Sequence, residues 1–168
     1  WGPRPPNLIK DVVRYYLGGQ PYYTPSGSTY PNVGTGYFIS GGTQQVARGF
    51  LQWRDLPADI IPDSITSATL EIGAYQWGAF NATVSLFRTT GNIADDPALW
   101  NAIEQSGTLL GSGISMANGY FTRTYPRGST FVNALKAGLN LDRSFQIAVR
   151  SDDESSSDKW MQIGNARL

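Results

Sequence analysis

The stretch RGFLQWRDLP, residues 48–57, decides the fold. Side chains alternate across a strand, so Leu51 and Trp53 share one face, with Asp55 at its fraying end. Arg48, Phe50, Gln52 and Arg54 share the other, and Pro57 stops the strand. This pattern predicts a strand of a layered β domain with Trp53 buried. Arg54 and Asp55 then sit on opposed faces at the strand end, where they steady the rim of a sheet rather than do chemistry.

Working outward, GYFIS (36–40), the turn GGTQ (41–44) and VARGFLQWR (46–54) read as a hairpin. SITSATLEIGAYQW (64–77) alternates: Ala68, Leu70, Ile72 and Ala74 on one face, Thr69, Glu71, Gly73, Tyr75 and Trp77 on the other. ATVSLFRTT (82–90) repeats this with Val84 and Leu86 inward, and the turn GAFN (78–81) predicts that the two strands form a hairpin. LIKDVVRYYL (8–17) reads as a strand from its β-branched and aromatic residues, and GYFTRTY (119–125), SFQIAVRS (144–151) and KWMQIGNARL (159–168) add more.

Two segments have helix signals. DDPALWNAI (95–103) carries Asp96 as a cap and Pro97 at the helix start. STFVNALKAG (129–138) is capped by Ser129 or Thr130 and ended by Gly138. The expected fold is all-β, a two-sheet antiparallel sandwich (jelly roll) with one or two short loop helices. Residues 1–30 are expected to form an extended Pro- and Tyr-rich lead-in or arm, and 31–168 the sandwich.

Composition removes several functions. Thirteen basic and thirteen acidic residues cancel, so no net field draws in nucleic acid or an anionic membrane. The absence of Cys excludes disulfides, thiolate metal sites and Cys nucleophiles. The absence of His removes the usual general base, the usual zinc ligand and any Ser-His-Asp triad. No apolar run approaches the ~18–20 residues that cross a bilayer, so no membrane insertion is expected. The chain begins at Trp1 rather than Met, and is expected to be processed or part of something longer.

The order of parts resembles the DNRLRE-type domains and related carbohydrate-binding modules. The resemblance rests on Asn32-Val33-Gly34, on Arg48 leading Phe50-Leu51 to Trp53, Asp55 and Leu56-Pro57, and on Ser67-Ala68-Thr69-Leu70. It continues with STFVNALKAG (129–138) before FQIAVRSDD (145–153). Trp53 stands where that pattern commonly has Phe, and Arg54 intervenes before the acid. The resemblance implies a β-jelly-roll module of an extracellular, cell-surface or virion protein, without a ligand-contact motif.

Candidate chemistry is sparse. In SDDESSSDKW (151–160), Asp152, Asp153, Glu154 and Asp158 offer hard oxygen ligands for a structural calcium ion, although the loop lacks EF-hand spacing and reads first as a solvated hairpin loop. Asp11 joins that ion by fold analogy only, and no cofactor is required. Asp55, Glu71, Glu104 and Asp152 are carboxylates of the type glycosidases use, but nothing places two across a cleft, and no enzymatic activity is expected. Tyr75 and Trp77 lie on the less buried face of their strand. There they either pack under a loop or form an aromatic platform for a sugar, with Arg88, Arg123, Arg150 and Trp160 as further contacts. The expected function is a non-catalytic, extracellular carbohydrate-binding or adhesive module, whose partner is a polysaccharide or glycan. The alternative is a structural module of a virion (decoration, fibre or capsid-associated protein) or of a cell-surface assembly, contacting neighbouring subunits through the N-terminal arm.

Overall fold

The computed structural model describes residues 1–25, 33–76, 82–116, 119–156 and 159–168, with backbone alone at 33, 75 and 76. In chain order its strands are β1 (Leu8–Leu17), β2 (Gln20–Thr24), β3 (Val33–Ser40), β4 (Thr43–Trp53), β5 (Ser67–Gln76), β6 (Thr83–Arg88), β7 (Thr108–Ser115), β8 (Tyr120–Pro126), β9 (Phe145–Ser151) and β10 (Met161–Arg167). Helix α1 (Asp96–Ser106) lies between β6 and β7, and α2 (Thr130–Leu141) between β8 and β9. The protein is an all-β antiparallel sandwich with two helices.

One sheet runs β2-β1-β4-β9-β6-β7 and the other β3-β10-β5-β8. Strand β3 belongs to both. Its Val33–Thr35 pairs with β10, and its Gly36–Ser40 pairs with β4. The change of sheet occurs at Gly36, whose φ is +109°. A Cβ there would stand 3.0 Å from the Lys159 carbonyl oxygen and the Trp160 Cα, so both backbone angle and space select glycine. Beside this corner the Thr35 hydroxyl donates to the Val149 carbonyl at 3.1 Å, tying β3 to β9.

The alternation read in residues 48–57 sorts the core. Leu51 and Trp53 face inward with Leu70, Ile72, Leu86, Ile147 and Ile163 from both sheets. On the opposite face of β4, Val46 and Phe50 lie with Val12 and Ala148 under Leu99, Trp100 and Ile103 of α1. The first sheet is therefore covered on both faces, which is why β4 and β9 are buried along almost their whole length. The second sheet is covered only on its inner face. Its β5 keeps the period of two: Leu70 and Ile72 are fully buried, and Thr69 is exposed. Helix α2 closes one end, with Phe131 stacked on Tyr125 at 4.1 Å and edge-on to Phe145 at 5.4 Å.

Four local expectations are corrected. The strands β5 and β6 do not form a hairpin: β5 pairs β10 and β8, β6 pairs β9 and β7, and the connection passes between layers, its GAFN turn lying outside the described residues. Residues 8–24, expected in an arm, are β1 and β2, and Asp11, Val12 and Val13 are buried where β1 pairs with β4. Gly138 does not end α2, which continues to Leu141; a side chain at 138 would run into the Ser144 carbonyl, so this glycine permits close packing. The cap of α1 is Asp95, which accepts from the Ala98 N–H at 3.0 Å, and Asp96 pairs instead with Lys10. In α2 the cap is Ser129. Strand β7 went unread in the sequence because Gly111 and Gly113 interrupt its pattern and its pairing with β6 shifts register.

Candidate functional site

Arg48, Arg150, Glu104 and Glu154 form a charged network on the outer face of the first sheet. Arg48 projects from β4 under α1, its guanidinium carbon 4.0 Å from the Trp100 ring centroid. It donates two hydrogen bonds to Glu154, of 3.0 and 2.9 Å, one to the Trp100 carbonyl at 3.1 Å, and one to Glu104 at 3.2 Å. Arg150 approaches Glu104 at 3.6 Å and covers the Phe87 ring at 4.7 Å. The Arg48 side chain is only 5% exposed, so its charge is stabilised by these partners rather than by water.

The carboxylates offered for calcium go to three different partners. Asp152 accepts from the Thr83 hydroxyl at 2.8 Å, the Ser85 hydroxyl at 2.5 Å and the Gly113 N–H at 3.1 Å, knotting β6 and β7 to the end of β9. Asp153 closes a local turn with the Ser155 N–H and hydroxyl, and those donors hold its pKa below the ordinary value. Glu154 holds Arg48, and Asp158 lies outside the described residues. Asp11 accepts from the buried Gly34 N–H at 2.8 Å, within the loop motif that carried the family resemblance. Among the described residues no three acidic groups converge on one point.

Asp152→Ala leaves three donors without their acceptor at the β6–β7 end. The expected loss is about 1–2 kcal/mol in chemical denaturation. A parent protein whose denaturation midpoint falls on adding a chelator would instead assign this loop to calcium.

The sugar-binding candidates lie on different faces. Arg150 is on the α1-covered side of the first sheet. Arg88 is half-buried at the end of β6, opposite the inward Ile147. Arg123 lies opposite the inward Leu70, at the edge of the sandwich interior, 5.4 Å from the Tyr125 ring. Burial lifts the Tyr125 phenol above its ordinary pKa, opposed by the Arg123 charge. Trp160 is half-buried, packed edge-on to Phe38 at 6.1 Å and against Gly34. Tyr75 pairs with Gln162 in register; its side chain, and all of Trp77, lie outside the described residues. The carboxylates considered for hydrolysis are equally dispersed: Asp55 follows β4 at the rim, Glu71 is on the outer face of the second sheet, Glu104 is on α1, and Asp152 follows β9.

That outer face is the open surface of the fold. Register places Thr69 opposite Thr124, Glu71 opposite Thr122 and Gly73 opposite Tyr120. The two threonine hydroxyls meet at 2.8 Å across the strands. Tyr120 is 50% exposed, and its direct partner on β5 is Gly73, which has no side chain. Gln162 extends the row onto β10. Among the described residues the face therefore offers hydroxyls, the Glu71 carboxylate with exposed Arg167 opposite it, one carboxamide and an aromatic ring. Sequence parity assigned Tyr75 and Glu71 to one face of β5, of which only Glu71 has a described side chain, and missed Tyr120, Thr122 and Thr124. Their signal was the alternation of GYFTRTY, polar Tyr120, Thr122 and Thr124 against Phe121, Arg123 and Tyr125.

No family model and no curated protein matches the chain. The resemblance to DNRLRE-type modules thus rests on the residues quoted for it.

Proposed function

We propose that this chain is a non-catalytic, extracellular carbohydrate-binding module of the DNRLRE-like kind, and that it holds a polysaccharide on the outer face of its second sheet. The observation that carries the reading is the asymmetry of the two sheets: α1 covers one outer face, and the other presents Thr69, Glu71, Tyr120, Thr122, Thr124 and Gln162. A sugar packs its C–H face on a ring while planar amide and carboxylate groups bond its hydroxyls. The dispersal of the carboxylates supports binding without hydrolysis, and the reading needs no cofactor.

Affinity electrophoresis through gels loaded with neutral and acidic polysaccharides tests it. At least one polysaccharide is expected to retard the protein, and Tyr120→Ala is expected to weaken retention at least tenfold while leaving the unfolding midpoint within a few degrees. Retention by none of them, or retention indifferent to Tyr120→Ala and Glu71→Gln, would contradict the reading.

One observation favours the second reading, a structural module of a virion or surface assembly. Tyr16, Leu17 and Tyr22, at the tip of the β1–β2 hairpin, are each about half exposed, at 54, 55 and 46%. Strand β2 is a sheet edge and carries no charged residue. Concentration-dependent association in sedimentation, abolished by Leu17→Ser with Tyr22→Ser, would favour assembly; a monomer at all concentrations supports the glycan reading.

A further inference from the structure

The end of the sandwich beside α2 opens into a cavity of about 550 Å³, a size typical of small-molecule sites. Leu56, Ile60, Ile65, Leu135, Leu139 and Leu168 give it an aliphatic wall, beside the Trp1 ring and the hydroxyls of Ser64, Thr66, Ser67 and Thr69. One wall is the extended N-terminal segment, and it is fixed. Arg4 and Leu168 exchange backbone hydrogen bonds of 2.8 and 2.9 Å, and the Trp53 indole N–H donates to the Arg4 carbonyl at 2.9 Å. The cavity is thus built in advance of any ligand.

The charged residues lining the cavity are Arg4, Arg167 and Glu71. Among the described residues no salt bridge joins any of the three; Arg167 stands opposite Glu71 in the β10–β5 register, and the lining carries two guanidinium groups to one carboxylate. The balance favours an anion, and a guanidinium fork fits a carboxylate with two parallel hydrogen bonds. The aliphatic wall suits an apolar body, which a bare sugar acid or inorganic anion lacks. We propose that this cavity binds a small amphipathic carboxylate of the medium-chain fatty-acid type, its head between Arg4 and Arg167 and its chain against Leu56, Leu135 and Leu139. Thr69 and Glu71 line this cavity as well as the open sheet face, so the two sites share an edge, but the proposal rests on Arg4, Arg167 and the aliphatic wall and does not depend on the glycan reading.

Isothermal titration with decanoate, hexanoate, decanol and glucuronate tests the proposal. Decanoate is expected to bind saturably with one site. Each methylene buried tightens binding about three- to fourfold, so hexanoate is expected to be at least tenfold weaker. Decanol, with the same chain and no charge, is also expected to be at least tenfold weaker. In the double variant Arg4→Gln with Arg167→Gln, decanoate is expected to fall to the level of decanol, with decanol unchanged. Both arginines are exposed, and an unaltered circular dichroism spectrum checks that the variant is folded. No saturable decanoate binding, equal affinity for decanol, indifference to the double variant, or saturable glucuronate binding in place of decanoate would each overturn the proposal.

Discussion

Trp53→Ala is expected to cost about 3–5 kcal/mol of folding stability, the range for removing a fully buried large aromatic side chain. Trp53, the last residue of β4, is 1% exposed in the inner layer, with its ring 6.3 Å from that of Phe145. Truncation leaves a cavity between the sheets and removes apolar contact from both. It also deletes the indole donor to the Arg4 carbonyl, so one wall of the end cavity loses an anchor. A small domain has only about 5–15 kcal/mol to lose, so a large fraction of the protein would unfold in moderate denaturant. Urea titration followed by circular dichroism reads the effect. A variant within 1 kcal/mol of the parent would place Trp53 on a surface and undo the parity that orders the sandwich.

The second large effect is at Arg48. Arg48→Met is expected to cost about 3 kcal/mol, at the low end of the range for breaking a buried pair. The low end applies because Glu154 is 23% exposed and Glu104 52% exposed, so both carboxylates can recover water once the guanidinium is gone. Glu154→Gln tests the converse, since it leaves the Arg48 charge buried with Glu104 as its remaining acidic partner. A double-mutant cycle between Arg48→Met and Glu154→Gln is expected to give a coupling of about 0.5–3 kcal/mol. Salt is expected to weaken the coupling only in part, because the Arg48 side chain is 5% exposed while Glu154 keeps 23% of its side chain in water. Additive single effects would show that the two side chains do not hold each other.

These two residues show what is legible in the sequence. Trp53 was placed by strand parity, which depends only on neighbours two positions away. Arg48 stood out in the same ten residues, but its partners Trp100, Glu104 and Glu154 are 52, 56 and 106 positions distant, and no local pattern carries them. The same limit explains the β5–β6 connection. Alternation reports that each strand buries one face; it does not report which layer the next strand joins. Local rules placed both helices, yet Gly138 was read as a stop because its true constraint, the Ser144 carbonyl, becomes a neighbour only when β9 packs. The candidate site was half legible. Glu71 and Tyr75 were assigned to the open face from β5 alone. Tyr120, Thr122 and Thr124 join them only through the β5–β8 register, and Arg88, Arg123 and Arg150 are carried elsewhere by theirs.

The central claim is that the uncovered face of the second sheet is where a glycan binds. Amide NMR titration with a soluble oligosaccharide of the retained polysaccharide tests it most directly. Shifts are expected to cluster at residues 69, 71, 120, 122, 124 and 162, and to vanish in Tyr120→Ala. Shifts confined to α1 and the outer face of the first sheet, or to the β1–β2 hairpin, would contradict it.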